Sequence, residues 1–136
     1  MIYITRKEHF NAAHRLFNPQ WDEHKNEIIF GKCSNPNWHG HNYTLYVTAK
    51  GELDEETGFV INLKELSKII NERIIDKLDH KNLNIEVDFL QNKRISAEVI
   101  AISIWEQIEE PIKQSGGILH CVRLHETENN YVEYFG

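Results

Sequence analysis

The sequence has little cysteine and no long apolar segment. Only Cys33 and Cys121 occur among 136 residues, so we expect free thiols in a reducing, cytoplasmic compartment rather than a disulfide framework. The N-terminal residues lack the apolar run of a signal peptide, and no segment is long enough to span a bilayer. A membrane is therefore not an expected partner.

Positive charge is also scarce. Lys and Arg number 15 against 21 Asp and Glu, a formal net charge of −6, and the basic residues form no cluster that would favour a nucleic-acid partner. Internal repeats, low-complexity tracts and Gly/Ser linkers are missing as well. A single domain over residues 1–136 is the prediction, with an apolar fraction of 40% that is sufficient for one core.

The apolar pattern predicts five strands and two helices. The strands are expected at residues 1–10, 42–51, 59–62, 118–126 and 131–135. A turn signal between the second and the third of these strands predicts that the two strands pair as a hairpin. Apolar residues recur at helical spacing after Asn62 and after Ser96, which are both good N-cap residues. This order favours an α+β fold in which two helices pack on one face of an antiparallel sheet.

Two histidines flank a glycine in the segment "CSNPNWHGHNY". In a strand, side chains two residues apart point the same way, so His39 and His41 would lie roughly 6.6 Å apart and could share one metal ion. His14, at the end of the first strand, is the best candidate for a third ligand. Three histidines with one open position are typical of a catalytic zinc site, whereas His-Gly-His alone is equally compatible with a polar strand entrance.

Other polar residues have both functional and ordinary interpretations. Cys33 lies in a polar loop, where a nearby cation would favour its thiolate as a base or nucleophile. Alternatively, Cys33 is a fourth zinc ligand in a closed structural site of a non-catalytic binding domain. Asp79 and His80 form a proton relay or simply end a helix. Glu126 could accept hydrogen bonds from a ligand, although exposed glutamates are common.

The chain resembles the 6-pyruvoyl-tetrahydropterin synthase family, which includes the bacterial 6-carboxytetrahydropterin synthases. The resemblance covers nearly the whole chain and rests on six motifs in the family's order and spacing: "FNAAHRL", "FGKCSNPNWHGHNY", "GELDEETGFVINL", "LDHKNLN", "SAEVIAISIWE" and "HETENN". Any one of these motifs is weak evidence, but six in register are specific.

This resemblance implies a reaction and the residues that carry it. The family's substrate is 7,8-dihydroneopterin triphosphate, and the implied ligands of a catalytic Zn²⁺ are His14, His39 and His41. The implied catalytic residues are the proton-abstracting thiol of Cys33 and a relay formed by Asp79 and His80.

Substrate-binding residues are implied in the same way. Glu126 resembles the family's pterin anchor, and a carboxylate suits the two N–H donors on the ring edge. Ser96 and Glu98 correspond to polar positions of the family's pterin site. Arg15 is a candidate for the triphosphate, with other basic residues as alternatives: Lys32, Lys81 and Arg94.

The family's architecture and product are implied as well. Members have a four-stranded antiparallel sheet with two helices on one face, known as the tunnelling fold. They assemble as hexamers, pairs of trimers with active sites between subunits. The five-residue gap between Cys33 and His39 is similar to that of the pyruvoyl enzymes. By contrast, Val99 is similar to the carboxy enzymes, which release acetaldehyde, and Ala97 lacks a polar contact to the pterin that many eukaryotic members have. The spacing favours the pyruvoyl product, with the carboxy product as the alternative.

Overall fold

Five strands form one mixed sheet: β1 (Ile2–His14), β2 (His39–Gly51), β3 (Lys81–Asn82), β4 (Ile118–His125) and β5 (Tyr131–Tyr134). In the computed structural model, which describes residues 1–136, their order is β3-β1-β2-β4-β5. Pairing is antiparallel except between β1 and β3, which is parallel. The predicted α+β class is confirmed. The prediction of four antiparallel strands is wrong, because the short β3 adds a parallel edge strand.

The helical segments are α1 (Glu23–Phe30), α2 (Leu63–Ile70), α3 (Asp76–Leu78) and α4 (Ala97–Gln114). Both predicted N-caps are confirmed. The side chain of Asn62 accepts a hydrogen bond from the Lys64 amide, and that of Ser96 accepts one from the Val99 amide. A π-helical segment, Asn71–Ile75, joins α2 to α3 without a break. None of these helices combines the length and the apolar composition needed to cross a bilayer.

The core lies between one face of the sheet and the helices. Alternation along β2 buries every second side chain from Tyr43 to Ala49, and the same face of β1 buries Phe10, Ala12 and His14. All of these side chains except His14 join α2 and α4 in a cluster of 25 buried residues. Side chains two residues apart in a strand point to the same face. His39 and His41, which precede Tyr43 at this spacing, are therefore directed to the face that carries the core.

The predicted strand at residues 59–62 is not formed. β2 pairs with β1 on one side and with β4 on the other, so it has no free edge for a hairpin partner. Val60 and Ile61 are buried instead through their side chains. Val60 packs so closely on Gly51 that a Cβ there would lie 2.8 Å from its Cγ1. The apolar run therefore reflects packing rather than strand pairing.

Candidate active site and metal centre

Three histidines converge where β1 ends and β2 begins. His14 is the last residue of β1 and pairs with His39, the first residue of β2, while His41 pairs with Ala12. The ring centroids are 4.5 to 5.0 Å apart. Their potential ligand nitrogens lie within 4.8 Å of one another. One ion could therefore contact all three rings, as the alternation of the strand predicts.

His14 is the most constrained of these ligands. Its side chain is buried, and Nδ1 donates a hydrogen bond of 2.7 Å to the main-chain carbonyl of Ile95. A carbonyl can only accept, so the proton is on Nδ1 and Nε2 keeps a free lone pair. Burial lowers the pKa of His14 from 6.5 to about 4, against the opposing effect of the Ile95 hydrogen bond. The ring is therefore neutral, as a metal ligand must be.

Four buried ring nitrogens of the cluster have no hydrogen-bond partner in the chain. These atoms are Nε2 of His14, Nε2 of His41 and both ring nitrogens of His39. Burial, followed by the neighbouring His41, lowers the pKa of His39, which favours its neutral form. Unpaired buried nitrogens cost free energy, and an ion that accepts their lone pairs removes most of that cost. The three histidines thus fit a divalent metal ion and leave a further coordination position for a ligand.

Glu126 immediately follows β4 and faces the histidines. Its carboxylate oxygens lie 3.8 Å from Nε2 of His14 and 3.8 Å from Nε2 of His41. Glu126 also lines a cleft of about 280 Å³ together with Ser96 and Glu98, at the beginning of α4. The hydroxyl of Ser96 accepts the capping hydrogen bond of that helix, and Glu98 is exposed in its first turn. Three of the four predicted substrate-binding residues therefore share one cleft.

Asp79 and His80 follow α3 and form the expected pair. Nδ1 of His80 lies 2.9 Å from one oxygen of Asp79, and the Asn11 amide donates a bond of 2.9 Å to the other. The His80 amide donates in turn to the Asn11 carbonyl. These contacts hold His80 at a φ of +60°, in the left-handed region. The Asn11 hydrogen bond, and then that from His80, keep the pKa of Asp79 below its usual value.

A cleft of about 440 Å³ is lined by residues of β1, β2 and β3. His41 and His80 both line it, together with Asn11 and Asn82 of the adjoining strands. The two-residue strand β3 accounts for this arrangement, since its pairing with β1 brings the residues after α3 beside the end of that strand. His80 therefore borders the same cleft as His41, one of the three histidines of the cluster.

Cys33 lies in a 3₁₀ turn, Gly31–Ser34, and is a half-buried free thiol. Its carbonyl accepts a hydrogen bond of 2.8 Å from the amide of Leu16, two residues beyond His14. The group of potential metal ligands contains the three histidines and does not contain Cys33. The thiol is thus held near the cluster without belonging to it.

Arg15 lies in a different cleft. Its Nε donates to the carbonyl of Ser34 at 2.7 Å, and its guanidinium lies 4.1 Å from the centre of the Phe17 ring. The cleft around it measures about 550 Å³ and includes Lys32 as well as Glu23. Arg15 therefore lines neither the cleft of His41 nor that of Glu126.

Some residues of the site are not evident from sequence patterns. Ile95 contributes only a main-chain carbonyl, for which no side-chain pattern exists. Asn11 also acts through its backbone. Tyr43 has a detectable signal, because it follows His39 and His41 on the same face of β2. Its buried hydroxyl has no partner, a property that the sequence alone does not reveal.

Comparison with known proteins identifies the family. The family model described as 6-pyruvoyl tetrahydropterin synthase matches residues 3–136. The chain belongs to this family. The 6-pyruvoyl tetrahydrobiopterin synthase of Pongo abelii is 42% identical over 98% of this chain and 90% of its own length. The structure of 6-pyruvoyl tetrahydropterin synthase from Caenorhabditis elegans superposes with a TM-score of 0.92, at 34% identity, over 99% of this chain and 95% of that one.

The relatives of this chain also include an enzyme that forms the carboxylated product. The 6-carboxy-5,6,7,8-tetrahydropterin synthase of Bacillus subtilis is 29% identical over 96% of this chain and 83% of its own length. The expected family is confirmed, and with it a lyase acting on a pterin. The histidine cluster described above supplies a place for a metal ion in this family member.

Proposed function

We propose that the chain is a zinc-dependent 6-pyruvoyl-tetrahydropterin synthase. It converts 7,8-dihydroneopterin triphosphate to 6-pyruvoyl-tetrahydropterin with loss of triphosphate, an internal redox rearrangement that needs no external oxidant. The observation that carries the proposal is the cluster of three histidines with unpaired ring nitrogens, in a chain that also has a free thiol and an Asp–His pair. The match of residues 3–136 to the family supports it.

The histidine cluster determines which metal suits the site. Three imidazole donors with an open position are typical of catalytic zinc. A zinc ion held by His14, His39 and His41 would polarise the oxygen atoms of the substrate side chain as a Lewis acid. The hydrogen bond from His14 to Ile95 fixes one ligand ring in the orientation that binding requires.

The thiol and the Asp–His pair divide the proton transfers between them. Cys33 accepts a proton from the side-chain carbon next to the polarised oxygen, since it lies outside the ligand cluster and remains available as a base. His80 moves the second proton from the far end of the 440 Å³ cleft. Asp79 orients His80 by holding its Nδ1 at 2.9 Å, which leaves Nε2 for the substrate.

The cleft beside Glu126 suits the pterin ring. Its carboxylate would pair with the guanidine-like edge of the ring, while Ser96 and Glu98 would contact the ring at the beginning of α4. For the triphosphate, Arg15 and Lys32 are the basic residues that share one cleft of about 550 Å³. A polyanion bound there would extend from the substrate side chain past Cys33.

The open face of the sheet supports assembly into the hexamer that the resemblance implies. Large apolar side chains on this uncovered face are more than half exposed: Tyr3, Ile118, Tyr131 and Phe135. Copies of the chain that pack through this face would remove these side chains from water. In such a hexamer the clefts described above would be completed by neighbouring subunits.

The 6-carboxytetrahydropterin synthase reaction is the second candidate. It uses the same substrate and releases acetaldehyde. Ala97 stands at the beginning of α4, in the cleft of Glu126. It lacks a polar contact to the pterin that many eukaryotic members have, and Val99 in the same turn resembles the residue of the carboxy enzymes. The higher identity to a pyruvoyl enzyme, 42% against 29%, favours the pyruvoyl product.

Incubation with 7,8-dihydroneopterin triphosphate, followed by mass spectrometry of the products, tests the proposal. We expect 6-pyruvoyl-tetrahydropterin and triphosphate from the wild type. Cys33→Ala should retain its zinc and lose turnover, while Cys121→Ala, a control at the other free cysteine, should retain both. Acetaldehyde with a carboxylated pterin would select the alternative product. Loss of zinc from Cys33→Ala would contradict the assignment of the thiol.

A further inference from the structure

The hydroxyl of Tyr43 is buried and has no hydrogen-bond partner. The side chain is completely inaccessible to solvent. A buried hydroxyl without a partner loses its hydrogen bonds to water and gains none in return, so buried polar atoms in proteins are nearly always paired. The ring itself is well packed, since it stacks on Phe10 with the centroids 4.8 Å apart and the planes at 14°.

Tyr43 lies among the residues of the active site. It follows His41 by two residues on the same face of β2, and the two ring centroids are 5.5 Å apart. On the neighbouring strand, Thr44 pairs with His125. This register places Tyr43 opposite Glu126, on the face that both share. Tyr43 therefore borders the histidine cluster on the face of the sheet that Glu126 shares.

A metal ion does not account for the unpaired hydroxyl. Five buried side-chain atoms in the chain lack a partner: four histidine nitrogens and the oxygen of Tyr43. An ion would pair with one nitrogen of each ring, which leaves the second nitrogen of His39 and the hydroxyl of Tyr43 without a partner in the chain. Of these two atoms, only the hydroxyl does not belong to a ligand ring.

The chemical character of this group is that of a donor. A tyrosine phenol, with an ordinary pKa of about 10, is protonated at neutral pH and donates its hydrogen to an oxygen atom. Glu126, which faces Tyr43 across the two strands, contacts the ligand in the proposed function.

We propose that Tyr43 is a substrate-binding residue whose hydroxyl donates a hydrogen bond to an oxygen of the substrate's hydroxylated side chain. This inference rests on the proposed function, because it requires a pterin whose side chain lies at the metal centre. Glu126 would recognise the ring, and Tyr43 would recognise the chain attached to it. The site would thus distinguish side-chain-bearing pterins from bare ones.

The test compares the affinity of two ligands for proteins that differ by a single hydroxyl group. In a Cys33→Ala background, where turnover is blocked, calorimetry measures the affinity for 7,8-dihydroneopterin triphosphate and for 7,8-dihydropterin, which lacks the side chain. Tyr43→Phe removes only the hydroxyl. Tyr46→Phe is the matched control, because Tyr46 lies on the opposite face of β2. Zinc content is measured for every variant.

We expect Tyr43→Phe to weaken binding of the side-chain ligand by about three- to tenfold, the loss of one hydrogen bond, and to leave dihydropterin affinity and zinc content unchanged. Equal weakening of both ligands would assign the hydroxyl to the Glu126 anchor and overturn the inference. Unchanged affinity for both would also overturn it. If the Cys33→Ala parent binds no dihydroneopterin triphosphate, the proposed function itself fails.

Discussion

The histidine cluster and the Asp79–His80 pair are held by opposite means. The side chain of His14 is 1% exposed, at the end of a paired strand above the core. The side chain of His80 is 77% exposed, and its backbone adopts a left-handed conformation held by Asn11. Metal ligands need a fixed, dry environment, whereas a group that transfers protons needs access to substrate and solvent. His41 of the cluster and the exposed His80 line the same cleft at this end of the sheet.

Removal of a metal ligand should have the largest effect. His39 is preferable to His14 because it is only half-buried and its ring makes no hydrogen bond in the chain. We expect His39→Ala to lose zinc and to lower kcat/KM by about 10³-fold or more, because Lewis-acid stabilisation is worth several kcal/mol. Metal analysis and steady-state kinetics measure this. His24→Ala, on the exposed side of α1, is the control and should change neither.

If His39→Ala lost activity but kept its zinc, the histidine cluster would not be the site that binds the ion. Equal losses of metal and activity in His24→Ala would point to general damage instead.

A change in the exposed pair should reduce turnover without affecting the metal. Asp79→Asn preserves the shape and can still accept from the Asn11 amide, but its amide nitrogen cannot accept from Nδ1 of His80. We expect kcat to fall by about 10²-fold, as for loss of an oriented acid–base group, with zinc content and KM nearly unchanged. Asp76→Asn, an exposed neighbour in α3, is the control. Zinc loss in Asp79→Asn would show that the two regions are coupled.

The smallest effect should be a pH-dependent change in stability. The pKa of Asp79 is lower in the folded chain than in the unfolded chain, chiefly because of the Asn11 amide. Its carboxylate therefore stabilises the fold above the unfolded pKa of about 3.9, and this contribution disappears as pH falls through the folded value. The Tm difference between wild type and Asp79→Asn should be constant near pH 6–7 and shrink below about pH 4. Thermal unfolding across this range measures it, and a difference independent of pH would exclude the linkage.

Strand alternation and caps made much of this architecture predictable. The spacing of His39 and His41 places both on one face of a strand, and Asn62 and Ser96 mark the beginnings of helices by a local hydrogen bond. These signals depend on neighbours in sequence, so sequence patterns reveal them.

Features formed by distant backbone groups were not predictable. The carbonyl of Ile95 meets His14 across 81 residues, and the parallel strand β3 consists of only two residues. The strand predicted at 59–62 is not formed for the same reason. The edge of β2 with which it would pair is occupied by β4, which follows much later in the chain. Apolar composition indicates burial at Val60 and Ile61, but not the form that burial takes.

The π-helical segment Asn71–Ile75 has a consequence for the residues that follow it. A π turn is wider than a regular helical turn, and such turns are frequent at functional sites. Each residue of a regular helix turns the chain by about 100°, so a local change of winding alters the direction in which the chain leaves the helix. Asp79 comes directly after this helical stretch, and its carboxylate meets the Asn11 amide at 2.9 Å. An irregular helical turn thus helps to determine which side chain arrives at the edge of the sheet.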